Sequence, residues 1–189
     1  MAAALIVVDV QRDFCEGGSL AVTGGAATAA AVSAYLDGHR SDYAVIVATR
    51  DWHVSPGRHF APREESPDYA ETWPVHCVAG TEGALWHPQL RLPPDAVIVS
   101  KGEEAAAFSG FEGRDPSGAT LAEILQAEGV DTVDVVGIAT SFCVRATALD
   151  AVASGLRARV LTALTADVDP AVTPLALADL AAAGVELAA

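Results

Sequence analysis

The sequence has few cysteines and no long apolar run, and each absence excludes a class of protein. No run of about 18 apolar residues occurs in its 189 residues, so we predict no transmembrane helix. The N-terminal stretch MAAALIVVDV carries no basic residue ahead of its apolar run, so we expect no signal peptide. Three cysteines are a poor basis for a disulfide framework and fit a reducing compartment, which predicts a cytoplasmic protein.

Positive charge is also scarce. Lys and Arg number 11 against 25 Asp and Glu, which gives a formal net charge of −14 and a pI of about 4.5. Such a chain repels a phosphate backbone, so we expect neither a nucleic-acid nor a membrane partner. The oligomeric state stays open between a monomer and a homo-oligomer.

What the sequence does contain is an alternation of apolar runs and helical patterns. Apolar strands separated by helices favour a parallel sheet that is covered on both faces. We therefore predict one domain over residues 1–189, an α/β fold of three α/β/α layers that is Rossmann-like, with a six-stranded, mostly parallel sheet. The predicted strands are 5–8, 43–48, 96–99, 132–138, 158–164 and 185–187, and the predicted helices are 25–40, 120–128, 141–154 and 170–183.

One long segment interrupts this alternation. Residues 51–95 contain most of the prolines, all three tryptophans and four of the five histidines. A loop of that length inside a compact domain is usually functional.

Polar residues occur where four of the predicted strands end. Asp9 follows the first strand, Asp51 and His53 follow the second, Lys101 follows the third, and Cys143 follows the fourth. Open parallel sheets bind ligands at the carboxyl ends of their strands. The sequence therefore predicts that an acid, a metal-ligand pair, a base and a thiol meet at one edge.

Cys143 is a candidate nucleophile, although a lone cysteine is more often a small buried apolar residue. Ser141 can cap a helix there, which places Cys143 in a first turn whose positive dipole end favours a thiolate. Asp9 can accept the thiol proton, and the Lys101 ammonium favours the charged form of both partners. Cys15 and Cys77 lack this setting, and we assign them to packing or to the lining of a pocket.

The histidines of the long segment suggest a metal site. Asp51 and His53 are two residues apart, so in an extended chain their side chains point the same way. Three histidines and one carboxylate suit zinc, iron(II) or manganese(II), and the predicted ligands of one divalent ion are Asp51, His53, His59 and His76. His39 and His87 fall outside this pattern. Phe14 and Trp73 could clamp a flat ring, or they could belong to the core together with Phe142.

Six stretches of the sequence carry a resemblance to a known family: VVDVQRDFCEGGSLAVTGG, TRDWHVSPGRHF, WPVHCVAGTEGA, VSKG, FSGFEG and VVGIATSFCVRATALDA. They resemble the nicotinamidases, also called pyrazinamidases, which belong to the isochorismatase-like cysteine hydrolases. The resemblance runs from residue 5 to about residue 185. It implies hydrolysis of nicotinamide to nicotinate and ammonia in NAD salvage, with pyrazinamide as a further substrate.

The resemblance also implies roles for particular residues. Asp9, Lys101 and Cys143 match a catalytic triad that works through a thioester. The N–H groups of Ala139 and Cys143 match an oxyanion hole, and the Ile138–Ala139 peptide matches a cis bond. Positions at the substrate are Phe14, Trp73, Ile138 and Phe142, and the metal ligands are Asp51, His53, His76 and, as a fourth, His59.

One departure affects the expected substrate. Where many nicotinamidases carry an acidic residue followed by tyrosine or histidine, this chain has Ser141 and Phe142. Phe142 removes a polar group from the edge of the pocket, which leaves open a related amidase that acts on another small amide. Isochorismatase itself lacks the nucleophilic cysteine, and a non-catalytic binding module has no need of the triad in register.

Overall fold

A six-stranded parallel sheet forms the centre of the computed structural model, which describes residues 2–189. Its strand order is β3-β2-β1-β4-β5-β6, and every neighbouring pair runs parallel. The predicted α/β class with six strands is thereby confirmed. The strands are β1 Ala2–Val8, β2 Val45–Asp51, β3 Val97–Lys101, β4 Val130–Ile138, β5 Arg157–Ala166 and β6 Glu186–Ala188.

Successive strand residues point to opposite sides of this sheet, so both of its faces carry apolar side chains. Helices cover both faces. Leu5 and Val7 of β1 belong to an apolar core that includes Val32, whereas Ile6 belongs to a second core that includes Ala148. The first core is closed by α1, and the second by α2, α3 and α4. These helices are α1 Gly25–His39, α2 Leu121–Ala127, α3 Arg145–Ala153 and α4 Thr173–Ala182.

Local signals set the start of α2 as the sequence predicts. The Thr120 hydroxyl accepts a hydrogen bond from the backbone N–H of Glu123 at 3.2 Å. The Glu123 carboxylate accepts one from the backbone N–H of Thr120 at 2.8 Å. This reciprocal pair is a capping box, and it fixes the first turn of a helix of only seven residues.

Two strands extend further than predicted, and the extension carries functional residues. β2 ends at Asp51 and β3 at Lys101, so both residues are the last of their strands rather than the first of a loop. Their backbones are paired in register across the two strands. Pairing of the backbone therefore continues through polar residues, which the apolar pattern alone does not indicate.

The predicted helix 141–154 is wrong at its beginning. Thr140–Val144 forms one turn of π-helix, and α3 follows it without a break. Ala139 occupies the capping position of that turn, and no side chain caps it. The last helix also begins later than predicted, at Thr173, after a turn in which Val172 N–H donates to the Asp169 carbonyl.

The strand order determines where the site lies on the sheet. β1 lies between β2 and β4, so the connections leave β1 and β4 in opposite directions and open a crevice at their carboxyl ends. The segment between β2 and β3, which includes a 3₁₀ turn at Gly57–His59, contributes residues beside that crevice. Within residues 2–189, no helix has the length and apolar character that a bilayer crossing requires. One domain spanning 1–189 stays a prediction.

Candidate active site

Cys143 lies at the crevice, on the π-helical turn that follows β4. Its side chain is buried, with 8% of the residue exposed, and it lines a cavity. Lys101 Nζ approaches its Sγ to 3.6 Å. The predicted convergence of the thiol and the base at one sheet edge is therefore present.

Lys101 is fully buried and is surrounded by acceptors. Its Nζ lies 2.9 Å from Asp9 Oδ2 and 2.5 Å from Asp51 Oδ1, and it donates to the Ala107 carbonyl at 3.2 Å. Burial opposes a charge, but Asp51 and Asp9 outweigh it and hold the pKa of Lys101 well above its usual value. Lys101 is therefore an ammonium that joins two buried carboxylates.

Asp9 is oriented by its neighbours. It follows β1, has a positive φ of 49°, and accepts a hydrogen bond from the Thr49 hydroxyl at 2.7 Å. Burial raises the pKa of Asp9, Lys101 opposes that shift, and Asp51 adds to it. A carboxylate with a raised pKa is a better proton acceptor for a thiol than an ordinary aspartate.

The structure does not support the thiolate form of Cys143 that the helix dipole predicts. Burial raises the pKa of Cys143 well above its usual value, and the carboxylates of Asp9 and Asp51 add to this, while Lys101 acts against it. The positive end of a helix dipole was expected to lower that pKa, but two nearby carboxylates and desolvation act in the opposite direction. Cys143 therefore rests as a thiol and needs a base before it can attack.

Three histidines form a compact group beside this triad. One ring nitrogen from each of His53, His59 and His76 lies within 4.8 Å of the others, and all three side chains are buried. His53 Nδ1 is 2.6 Å from the Gly102 carbonyl, and His76 Nδ1 is 2.7 Å from the Pro74 carbonyl. A carbonyl oxygen only accepts, so Nδ1 is the donor in each contact, and Nε2 is the ring nitrogen that remains for a ligand.

The donor set fits a divalent metal ion. His53 Nε2 and His59 Nδ1 are buried without any hydrogen-bond partner. Burial, together with His76 and His53, lowers the pKa of His59 to about 4, so the ring is neutral at pH 7. Neutral imidazoles with unpaired nitrogens are the form that binds a metal. The cluster is therefore a site that could hold a divalent metal ion.

Asp51 lies between the triad and the histidines. Its Oδ1 contacts Lys101, while its Oδ2 is 3.6 Å from His53 Nε2 and 3.7 Å from His76 Nε2. Burial alone would raise the pKa of Asp51, but Lys101 and the two histidines hold it well below its usual value. One ionised carboxylate thus faces both parts of the site.

The position of His53 depends on the absence of a side chain at residue 102. A Cβ at Gly102 would lie 2.6 Å from His53 Cε1, and the backbone there has a φ of +78°. We expect Gly102→Ala to displace the ring and to weaken metal binding about 10-fold or more, since contacts that orient a ligand typically contribute that much. Competition with a chromophoric chelator measures the affinity.

Gly118→Ala is the matched control for this change. Gly118 has a φ of +91°, but a Cβ there meets nothing within 4 Å. Both variants therefore place an alanine at a positive φ, and only Gly102→Ala brings a Cβ against a histidine. Equal metal affinities for the two variants would contradict the account.

The cavity itself has an aromatic lining. Cys143, Asp51, His59 and His76 lie on its wall, and it is open to solvent at one side. Phe14, Trp73, Ile138 and Phe142, the predicted substrate positions, all line it as well. Such a space, largely apolar with a few convergent polar groups, is typical of small-molecule sites.

The aromatic rings contact one another. Trp73 and Phe142 meet edge to face with ring centroids 4.9 Å apart, and Phe108 stacks near Phe142 at 6.1 Å. Phe14 lies close to the histidines, with its centroid 5.3 Å from that of His76. The apolar edge that the sequence predicts at Phe142 is therefore part of a larger aromatic wall.

The backbone before Cys143 has the form that the resemblance implies. The Ile138–Ala139 peptide bond is cis. The Ala139 carbonyl accepts hydrogen bonds from the N–H groups of Phe142 and Val144, each at 3.1 Å. The assignment of the Ala139 and Cys143 N–H groups to an oxyanion hole stays a prediction.

The sequence did not predict several residues that support the site. Gln11 is fully buried and exchanges two hydrogen bonds of 2.8 Å with the backbone N–H and carbonyl of Asp51. Thr49 orients Asp9, and Phe108 completes the aromatic wall. Gln11 stands in the first of the six family-like stretches, which was the available signal. A neutral side chain that acts through another residue gives no signal of its own in a single sequence.

For Cys15 and Cys77 the structure favours packing, which is the first of the two predicted alternatives, and His39 and His87 lie outside the histidine cluster. Cys15 and Cys77 are fully buried, and neither lines the cavity. His39 is exposed and stacks on Tyr35, with ring centroids 4.1 Å apart. His87 does not belong to the cluster of His53, His59 and His76 that the described residues form.

Comparison with known proteins places this site in a family. A family model described as the isochorismatase domain matches residues 3–189. The nicotinamidase/pyrazinamidase of Mycobacterium tuberculosis is 54% identical over 184 residues, which are 97% of this chain and 97% of that protein. The nicotinamidase of Acinetobacter baylyi is 39% identical over 84% of this chain and 78% of its own length.

Solved structures agree with the sequence comparison. The pyrazinamidase of Pyrococcus horikoshii in complex with zinc has a TM-score of 0.84 at 41% identity, over 99% of this chain and 98% of that one. PnC1 from L. infantum in complex with nicotinate also has a TM-score of 0.84, at 35% identity, over 98% of this chain and 91% of that one.

Proposed function

This chain belongs to the isochorismatase family, and from that membership we propose that it is a nicotinamidase, a metal-dependent cysteine amidohydrolase. It converts nicotinamide to nicotinate and ammonia in NAD salvage, in the cytoplasm, and accepts pyrazinamide as well. One observation carries the proposal. Lys101 Nζ lies 2.9 Å from Asp9 and 3.6 Å from Cys143, and Cys143 lines an aromatic cavity.

The proposed metal ligands are Asp51, His53, His59 and His76, and the candidate ions are zinc, iron(II) and manganese(II). Unpaired nitrogens on His53 and His59 support the set, and so does the Asp51 oxygen that faces His53 and His76. When bound by these residues, the ion would supply Lewis-acid chemistry beside the substrate.

The aromatic residues select a flat ring. Phe14, Trp73 and Phe142 offer apolar surface on the cavity wall, and Ile138 adds an aliphatic contact. An uncharged pyridine or pyrazine ring suits such a lining because desolvating it costs little. Cys143 lies on the wall of the same cavity, so a ring held by these residues brings its carboxamide carbon towards the Sγ atom.

The first half of the proposed reaction forms a thioester. Asp9 accepts the proton of Cys143, and the thiolate attacks the carboxamide carbon. Negative charge then develops on the carboxamide oxygen, where the N–H groups of Ala139 and Cys143 bind it. Asp9 returns the proton to the amide nitrogen, the carbon–nitrogen bond breaks, and ammonia leaves. Lys101 stays charged throughout and keeps Asp9 oriented.

The second half releases the acid. Asp9, now unprotonated, takes a proton from a water molecule, which attacks the thioester carbon. The carbon–sulfur bond breaks, Asp9 gives its proton to Cys143 Sγ, and the product departs as nicotinic acid, which ionises to nicotinate in water. The chain is thereby restored to its starting protonation state.

Ammonia release from nicotinamide by purified, metal-analysed protein tests the proposal. We expect rapid turnover of nicotinamide and of pyrazinamide. No release from a fully metallated protein would refute the proposed substrate and would favour another small amide. A relative that points to such a substrate is the maleamate amidohydrolase of Pseudomonas putida, 28% identical over 87% of this chain.

Removal of the metal is expected to abolish turnover while the protein stays folded. His53 and His76 contact the Gly102 and Pro74 carbonyls, so these two rings keep a hydrogen-bond partner when an ion is removed. We expect dialysis against a chelator to reduce the rate at least about 100-fold, and added zinc, iron(II) or manganese(II) to restore it. Full activity in protein shown to be metal-free by elemental analysis would remove the ion from the proposal.

A further inference from the structure

A buried carboxylate outside the triad is bonded to the turn that carries the nucleophile. Asp167 follows the last residue of β5 and is 7% exposed. Its Oδ1 accepts hydrogen bonds from the Ser141 hydroxyl at 2.5 Å and from the Ser141 backbone N–H at 3.1 Å. Ser141 is two residues before Cys143, within the same π-helical turn.

The same carboxylate joins two further elements. Its Oδ1 accepts from the Val168 backbone N–H at 2.9 Å, and its Oδ2 accepts from the Thr173 hydroxyl at 2.8 Å. Val168 lines the cavity, and Thr173 is the first residue of α4. One side chain therefore ties the nucleophile turn to a cavity wall and to a helix start.

These bonds replace the cap that the sequence predicts. The turn has no side-chain cap of its own, and the Ser141 hydroxyl bonds to Asp167 instead of to a backbone N–H of its own helix. Hydrogen bonds to a carboxylate are shorter and stronger than those between neutral groups. The position of the turn therefore depends on a residue 26 positions away in the chain.

We propose that Asp167 is a positioning residue, which fixes the nucleophile turn through Ser141 and so sets the place of Cys143 Sγ relative to Asp9 and the substrate. It touches neither the thiol nor the triad. This inference rests on the proposed function for its kinetic test, because turnover of nicotinamide is one of its readouts. A displacement of the reacting atom by about 1 Å can reduce a rate about 100-fold.

The kinetic test compares Asp167→Ala with Thr173→Val. Both changes remove hydrogen bonds of the same carboxylate, but Thr173→Val leaves both Ser141 bonds in place. We expect Asp167→Ala to lower kcat for nicotinamide about 10- to 100-fold with KM within about threefold, and Thr173→Val to keep kcat within about twofold. A purely structural role would lower the unfolding temperature of both variants and leave kcat unchanged.

A swap of the two side chains provides the rescue. Asp167→Ser removes the carboxylate, and Ser141→Asp in the same chain returns it on the other side of the hydrogen bond. We expect the double variant to exceed Asp167→Ser in kcat by at least about fivefold. Equal rates for the two would overturn the proposal, and so would a wild-type kcat in Asp167→Ala. If Asp167→Ala does not fold, Asp167→Ser and its swap decide alone.

A readout without substrate separates this inference from the proposed function. Alkylation of Cys143 by iodoacetamide, followed by peptide mass spectrometry, reports how well Asp9 can reach the thiol. We expect Asp167→Ala to slow that reaction at least about fivefold and Thr173→Val to leave it unchanged. If wild-type protein does not hydrolyse nicotinamide, the proposed function fails, and this comparison still supports or overturns the role of Asp167.

Discussion

Cys143→Ala is expected to abolish turnover of nicotinamide, with a loss of about 10⁴-fold or more, while the protein folds normally. Among the described residues, Cys143 is the only cysteine on the cavity wall. Its Sγ lies 3.6 Å from Lys101 Nζ, which in turn lies 2.9 Å from Asp9 Oδ2. The change removes a single sulfur atom from a turn that the Asp167 hydrogen bonds hold in place. Steady-state ammonia release measures the loss, and circular dichroism confirms the fold.

Cys15→Ala serves as the control for that variant. Cys15 is fully buried and does not line the cavity. Burial raises its pKa to about 12, so it stays a thiol and takes no part in the proposed reaction. We expect it to retain most of the wild-type rate. Acid-quenched wild-type protein should also carry the acyl group of nicotinate on the peptide that contains Cys143. An acyl group found on another residue would contradict the nucleophile assignment.

Much of the fold follows from the apolar pattern. Strands 5–8 and 132–138 appear in the predicted places because a strand buried on both faces must be almost continuously apolar. The capping box at Thr120 fixes the start of α2 by purely local chemistry. The register of β2 against β3 could not be predicted in the same way, because polar residues at Asp51 and Lys101 look like the start of a loop.

The site, like the fold, could be predicted only in part. Strand ends and residue spacing predict which side chains meet, and the structure brings Asp9, Lys101 and Cys143 together. What spacing could not predict is the balance of charge. Burial raises the pKa of Cys143 above its usual value, and the carboxylates of Asp9 and Asp51 add to this, contrary to the expectation from a helix dipole. Ser141 donates its hydroxyl hydrogen bond to Asp167, 26 positions along the chain, and a local sequence pattern does not reveal such long-range partners.

Lys101→Met is expected to have the largest effect on stability, because it leaves two buried carboxylates without their shared cation. Lys101 and Asp9 are fully buried, and Asp51 is nearly so. Removing one partner of a buried ion pair typically lowers the free energy of unfolding by about 3–5 kcal/mol. Urea denaturation of the metal-loaded protein measures the loss, and we expect turnover to disappear with it.

Arg91→Met provides the comparison with an exposed ion pair. Arg91 contacts Asp37 at 2.6 Å, but both side chains are more than half exposed, 62% and 64%. Water screens such a pair and already solvates the partner that remains, so we expect the urea midpoint to change little. An equal loss of stability in the two variants would show that burial is not the cause of the Lys101 effect.

A second substitution separates the two functions of Lys101. If the instability of Lys101→Met comes from the uncompensated charge of Asp9, neutralising that carboxylate with Asp9→Asn should recover part of the lost stability. The double variant should nevertheless stay inactive, because it has no group left to accept the thiol proton. Recovery of stability without activity would show that the same ion pair holds the fold together and prepares the base. A double variant as unstable as Lys101→Met would assign the instability to Asp51 instead, whose Oδ1 lies 2.5 Å from the same Nζ.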